Sequence, residues 1–169
     1  MVDILERALE LVKRLEVSRE DYEPPGKHGE KAPIHDKILK YIRDGFEEHY
    51  TPKLGDYGID LVIREAYPSG RIILAVEVDT WWKPFRSWLK LLDIRSENKI
   101  WVYAPSRWDY GRAEERFERA VDELEDLVKR RRETPAEAGR LVAVLKMPDK
   151  TRVKRLLYFE RIGRMVEGP

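Results

Sequence analysis

Residues 58–80 read GIDLVIREAYPSGRIILAVEVDT, and this stretch decides the fold. Ile59 to Ala66 alternates well enough for a strand, Pro68, Ser69 and Gly70 signal a hairpin turn, and Arg71 to Thr80 is a second strand. From Ile72 to Val76 the second strand is apolar without a break, as expected of a central strand covered on both faces. Such a strand needs helices above and below it.

The flanking sequence supplies them. Upstream, Ile4, Leu5, Ala8, Leu11, Val12 and Leu15 recur at helical spacing within residues 1–17. Residues 18–32, with Pro24 and Pro25, read as a linker. Pro33 to about His49 is a second helix with Ile34, Ile38, Leu39, Ile42 and Phe46 as its buried stripe. Tyr50 to Gly58 leaves room for only a short strand. Downstream, Pro84 to Ile94 is helical and Lys99 to Ala104 is a third buried strand. Gly111 to Arg132 is a long helix, and Arg140 to Lys146 pairs with Thr151 to Arg161 about a turn at Met147 to Lys150. Strand, helix and strand over Arg71 to Ala104 imply a parallel pair. The fold class is α/β, a mixed β-sheet flanked by helices in a single domain. Its parts are the N-terminal helix 1–17, the linker 18–32, a core 33–104, and a C-terminal helix and β-hairpin 105–169.

Composition narrows the function. With 33 Lys+Arg against 32 Asp+Glu, any surface for an anionic partner must come from local segregation of charge. The absence of cysteine removes disulfides, zinc-thiolate sites and cysteine nucleophiles. A charged fraction of 38%, against roughly 25% in an ordinary domain, fits the ion-pair networks of a thermophile's surface. No apolar run is long enough for a signal peptide or a membrane span, so a cytoplasmic protein is expected. There is no phosphate-binding glycine loop, dinucleotide fingerprint or zinc-helix motif. His28, His35 and His49 show no ligand spacing, and surface roles are expected for them.

What remains is carboxylates on strands. Asp60 opens the first strand of the hairpin, and Glu77 and Asp79 share one face near the end of the second. Pairing about the turn sets Asp60 opposite Glu77 to Asp79. Three acids at one end of a buried hairpin repel one another, and a divalent cation is the natural compensation. Salt bridges to Lys83, Arg86 or Lys90 are the alternative.

A helix, a hydrophobic residue followed by Asp60, a turn, Glu77-Val78-Asp79 on the next strand, then helix and strand, resemble the PD-(D/E)XK nuclease superfamily over Pro33 to Ala104. The resemblance implies Mg²⁺ or Mn²⁺ held by Asp60 and Glu77, with a glutamate of the preceding helix helping; Glu48 is the better candidate there and Glu47 the other. The motif lysine is replaced by Asp79, as in Glu-x-Asp variants of the superfamily, and Lys83 or Lys90 is left to supply the cation. The resemblance also implies hydrolysis of DNA or RNA phosphodiesters, often by a homodimer. A nuclease-like fold that has lost catalysis and binds nucleic acid or a protein partner stays open beside it.

Nucleic-acid contacts have their own candidates. Aromatic faces stack on bases, and one of Trp81 and Trp82 is expected to be exposed near the acids. Arg107 and Trp108 follow the third buried strand, on the rim where a parallel sheet presents ligands. Arg152 and Lys154 share one face of the last strand, as a backbone-contacting surface or as a charged guard on an edge strand.

Overall fold

The hairpin of residues 58–80 lies inside a mixed sheet whose seven strands, among the described residues, follow one another in chain order. The computed structural model describes residues 3–24, 26, 31–66, 70–81, 84–130, 140–159 and 164–167. The strands are β1 (Thr51–Leu54), β2 (Leu61–Arg64), β3 (Ile72–Asp79), β4 (Asn98–Tyr103), β5 (Arg140–Lys146), β6 (Thr151–Phe159) and β7 (Arg164–Glu167). The first three form an antiparallel meander, β3, β4 and β5 run parallel, and β5, β6 and β7 are antiparallel again. The fold is α/β, as the apolar run of β3 implies.

Among the described residues four α-helices cover the sheet: α1 (Ile4–Arg14), α2 (Pro33–Phe46), α3 (Phe85–Asp93) and α4 (Ala113–Arg130). Asp3 caps α1, its carboxylate accepting from Leu5 N at 2.9 Å and Glu6 N at 3.2 Å. Leu5, Ala8, Leu9 and Val12 of α1, with Ile34, Ile38, Ile42 and Phe46 of α2, pack on Leu61, Ile63, Leu74, Val76, Ile100 and Val144. The crossovers β3–α3–β4 and β4–α4–β5 step the same way along the sheet. Connections of one hand then put both helices on the same, opposite face. There Trp88 and Phe117 pack on Val62, Ala75, Trp101 and Ala143. The period of two along each strand thus feeds two cores with one set of residues.

The short strand expected within Tyr50 to Gly58 is β1, four residues long. The structure departs from the sequence reading in two places. The pairing of β2 with β3 slips between Ile63 and Arg64, so Leu61 faces Val76 while Arg64 faces Ile72. The last hairpin gains β7, which had no signal of its own: four residues give too short a window for a period. Tyr67, Pro68 and Ser69 of the hairpin turn lie outside the described residues. No helix among the described residues is long and apolar enough to cross a membrane.

Candidate functional site

Asp60 sits just before β2 and Glu77 near the end of β3, so the hairpin register that ends at Leu61 and Val76 leaves them side by side. Each side chain takes a backbone hydrogen from the other's segment. Asp60 N–H donates to Glu77 Oε1 at 2.9 Å, and Val78 N–H donates to Asp60 Oδ2 at 2.9 Å. The two carboxylates therefore replace the next rung of the ladder, and the strands part where the acids stand.

Glu77 is 1% exposed. Burial, then the charge of Asp60, pushes its carboxyl above the usual range, against the opposing pull of the Asp60 N–H, Lys90 and Ser87. Lys90 of α3 brings Nζ to 3.3 Å from Oε1 and 3.2 Å from Oε2. Its position on α3 follows from the helix packing Trp88 and Leu91 inward, which turns Ser87 and Lys90 toward the end of β3. Asp79 lies on the same face of β3 as Glu77. It accepts a hydrogen bond from Trp101 Nε1 at 2.8 Å, and its pKa is raised by burial although Ser87 and Trp101 both favour the anion.

A histidine completes the cluster. His35, in the first turn of α2, is buried, with Nε2 3.2 Å from Asp60 Oδ2 and Nδ1 2.7 Å from Asp36 Oδ1; a protonated ring donates to both carboxylates. Burial works against its charge, but these two bonds prevail and raise its pKa, while Lys31 opposes them. Lys31 Nζ lies 2.8 Å from His35 Nε2 and 3.7 Å from Asp60 Oδ1. Burial also works against the Asp60 anion, and the bonds from His35 and Val78 override it, so its carboxyl is held below the ordinary value.

The surface role expected for His35 is therefore corrected, and so is the metal-binding role of Glu48. Glu48 is exposed beyond the end of α2, its carboxylate 3.8 Å from His49. Thirteen residues of helix rise about 20 Å, so only one end of α2 can reach Asp60, and it is the N-terminal end. The signal for His35 was present in the sequence: it stands four residues before Leu39 and seven before Ile42, on the buried stripe. Ser87 and Lys31 carried no comparable signal.

The remaining candidates are spread out. Lys83 and Trp82 lie outside the described residues. Trp81 is 59% exposed just after β3. Arg107 pairs with Glu23 at 2.8 Å and stacks on Trp108, which is 77% exposed. Arg107 lines a cleft of about 600 Å³ with Arg19, Tyr110 and Asp149, and neither Asp60 nor Glu77 lines it. Arg152 and Lys154 do share a face of β6, where both pair with Glu118 of α4.

Among the described residues no three His, Asp or Glu side chains form a ready-made group for a metal ion. The donor set at Asp60 and Glu77 nevertheless fits a hard cation in chemistry. The two carboxylates adjoin, Glu77 is raised partly by its neighbour's charge, and the groups nearest their oxygens are the buried His35 ring, 3.2 Å from Asp60, and the part-exposed Lys90, 3.2 Å from Glu77, with Lys31 at 3.7 Å from Asp60. Compared with known proteins, the chain matches no family model and no curated sequence.

Proposed function

We propose that the chain is a metal-dependent phosphodiesterase of the PD-(D/E)XK kind, acting on DNA or RNA. The observation that carries this reading is the pair of interlocked carboxylates, Asp60 and Glu77, with Lys90 Nζ 3.2 Å from Glu77. The element order α2, β1, β2, β3, α3, β4 supports it, because the superfamily's strand before the aspartate is present as β1. Asp79 occupies the position of the motif lysine, and Lys90 approaches the same carboxylate from α3.

Asp60 and Glu77 would hold Mg²⁺ or Mn²⁺, which when bound polarises a phosphate and acidifies a water. The residues of the chain do the rest. His35 and the Val78 N–H fix the Asp60 carboxylate in one orientation, and Ser87 and the Asp60 N–H do the same for Glu77. Lys90 places a positive charge where a phosphate oxygen gains negative charge. The test is cleavage of single-stranded, duplex and branched DNA and of RNA with Mg²⁺ or Mn²⁺, against Asp60→Asn and Glu77→Gln. Loss of cleavage in both variants is expected; cleavage that neither variant changes overturns the site.

A second reading has its own support in Asp79. That carboxylate is committed to Trp101 and Ser87 and cannot act as the motif lysine does. A nuclease-like fold that binds nucleic acid without cutting it would bind in EDTA and show no metal-dependent cleavage.

A further inference from the structure

The loop between β1 and β2 runs straight into Asp60, and its backbone is unusual. Gly55, Tyr57 and Gly58 have φ of 68°, 54° and 71°, and Tyr57 is the one non-glycine residue at positive φ among the described residues. This region disfavours any side chain with a Cβ, and glycine or asparagine would fill the position with less strain. Tyrosine there gains little by packing, since it is 73% exposed.

The loop is nonetheless closed by its own backbone hydrogen bonds. Gly55 N–H donates to Asp60 O at 3.0 Å, Ile59 N–H to Asp56 O at 3.0 Å, and Ile59 is anchored in the core. Arg64 supports one side of the Tyr57 ring, its guanidinium 5.2 Å from the centroid. Arg64 is itself held by Asp56 at 2.8 Å and by the Gly70 carbonyl at 2.9 Å. The result is an aromatic ring held outward, tied to Asp60 by a closed loop of three residues, so the two Cα atoms lie within about 11 Å. Strain kept at an exposed aromatic beside a candidate site marks a ligand-facing role.

We infer that Tyr57 is a stacking platform for an unpaired base of a nucleic-acid strand, one to three nucleotides from the phosphate that reaches Asp60. Tyrosine offers a flat ring, the neighbouring Arg64 pre-positions it, and stacking on such a ring accepts any base. The inference rests on the nuclease reading for the identity of that phosphate, and not for the stacking itself.

Oligonucleotides carrying a single 2-aminopurine at successive positions, bound in EDTA, test it. Wild-type protein should quench the probe at one or two adjacent positions. Tyr57→Gly should abolish the quench and weaken binding about tenfold, while its Tm rises because the strained residue is gone. Tyr57→Phe should retain the quench. A quench pattern unchanged in Tyr57→Gly overturns the platform, as does wild-type protein that quenches at no position. Cleavage by wild-type and Asp60→Asn protein, measured alongside, reports on the nuclease reading separately. If cleavage is insensitive to Asp60→Asn while the Tyr57-dependent quench persists, the platform stands and the catalytic reading falls.

Discussion

Asp60 and Glu77 hold each other by a reciprocal exchange: the backbone of one donates to the side chain of the other, and the residue after Glu77 donates back to Asp60. A pair of like charges is thus locked at the point where two strands separate. The arrangement makes the two halves of each carboxylate's role separable. Asp60→Asn keeps an oxygen for the Val78 N–H, whereas Asp60→Ala leaves that buried donor without a partner. The alanine variant should be about 1–3 kcal/mol less stable than the asparagine variant by urea denaturation, with both inactive. Equal stability of the two would show that the Val78 bond contributes nothing to the fold.

Glu77 is a residue whose charge the fold tolerates at a cost. Burial and then Asp60 raise its pKa, so the folded protein holds this proton more tightly than the unfolded chain. Its contribution to stability is therefore greatest below the unfolded carboxyl value and declines as pH rises to the raised folded value. Glu77→Gln, neutral throughout, should have a higher Tm than wild type at pH 8 in EDTA, and the difference should shrink toward pH 4. A gap that widens on acidification would contradict the assignment.

Under the proposed nuclease reading, Lys90 of α3 takes the part of the motif lysine beside Glu77, and its effect should lie in the chemical step. Lys90→Met should lower the single-turnover cleavage rate by about 100-fold or more, with Lys90→Arg retaining part of the rate. Nucleic-acid affinity should change little, because one partly exposed lysine is a small part of any phosphate-contacting surface. A variant that binds poorly but cleaves at the normal rate when saturated would assign Lys90 to binding.

Much of this is legible in the sequence. The unbroken apolar run Ile72 to Val76 told a covered central strand from a half-exposed one, and the turn that follows Ala66 set Asp60 beside Glu77 because strand side chains repeat every two residues. His35 was missed for a physical reason. A histidine on an apolar stripe is read as a surface residue unless the buried partner that compensates it is known, and Asp60 lies 25 positions away. Glu48 is favoured in the sequence because it falls on the flank of the buried stripe of α2 while Glu47 falls opposite it, although a helix has two ends and only the tertiary packing says which lies at the site. The strain at Tyr57 left no trace at all, since positive φ is read from glycine and asparagine and this position carries neither.

Glu118 bridges Arg152 and Lys154 and offsets one of the two positive charges expected on the strand face, while Arg152 also lies 3.8 Å from Glu114. Removing the Glu118 charge should raise the positive potential of that face. Glu118→Gln should strengthen nucleic-acid binding at low salt and steepen its salt dependence by about one counterion, at a stability cost of about 0.5–1 kcal/mol. Binding and salt slope unchanged by the substitution would place the phosphate contacts elsewhere on the molecule.

Lys146 at the end of β5 offers a test of the fold away from the site. Its side chain is buried, and Nζ donates to the carbonyl of Lys13 at 3.3 Å and to Thr151 Oγ1 at 3.2 Å. Two effects compete there. The ammonium satisfies a carbonyl in the last turn of α1, where positive charge complements the helix dipole. Burial opposes the charge, and it prevails, because the pKa is lowered from 10.5 by burial. The folded protein therefore holds this proton less tightly than the unfolded chain, and stability rises with pH between the lowered folded value and 10.5. Lys146→Met keeps the length of the side chain and removes the charge. It should raise the Tm at pH 7 by about 2–5 °C, and the advantage should fade as pH approaches the unfolded lysine value. A methionine variant that is less stable than wild type at pH 7 would show that the contact with α1 outweighs the burial of the charge.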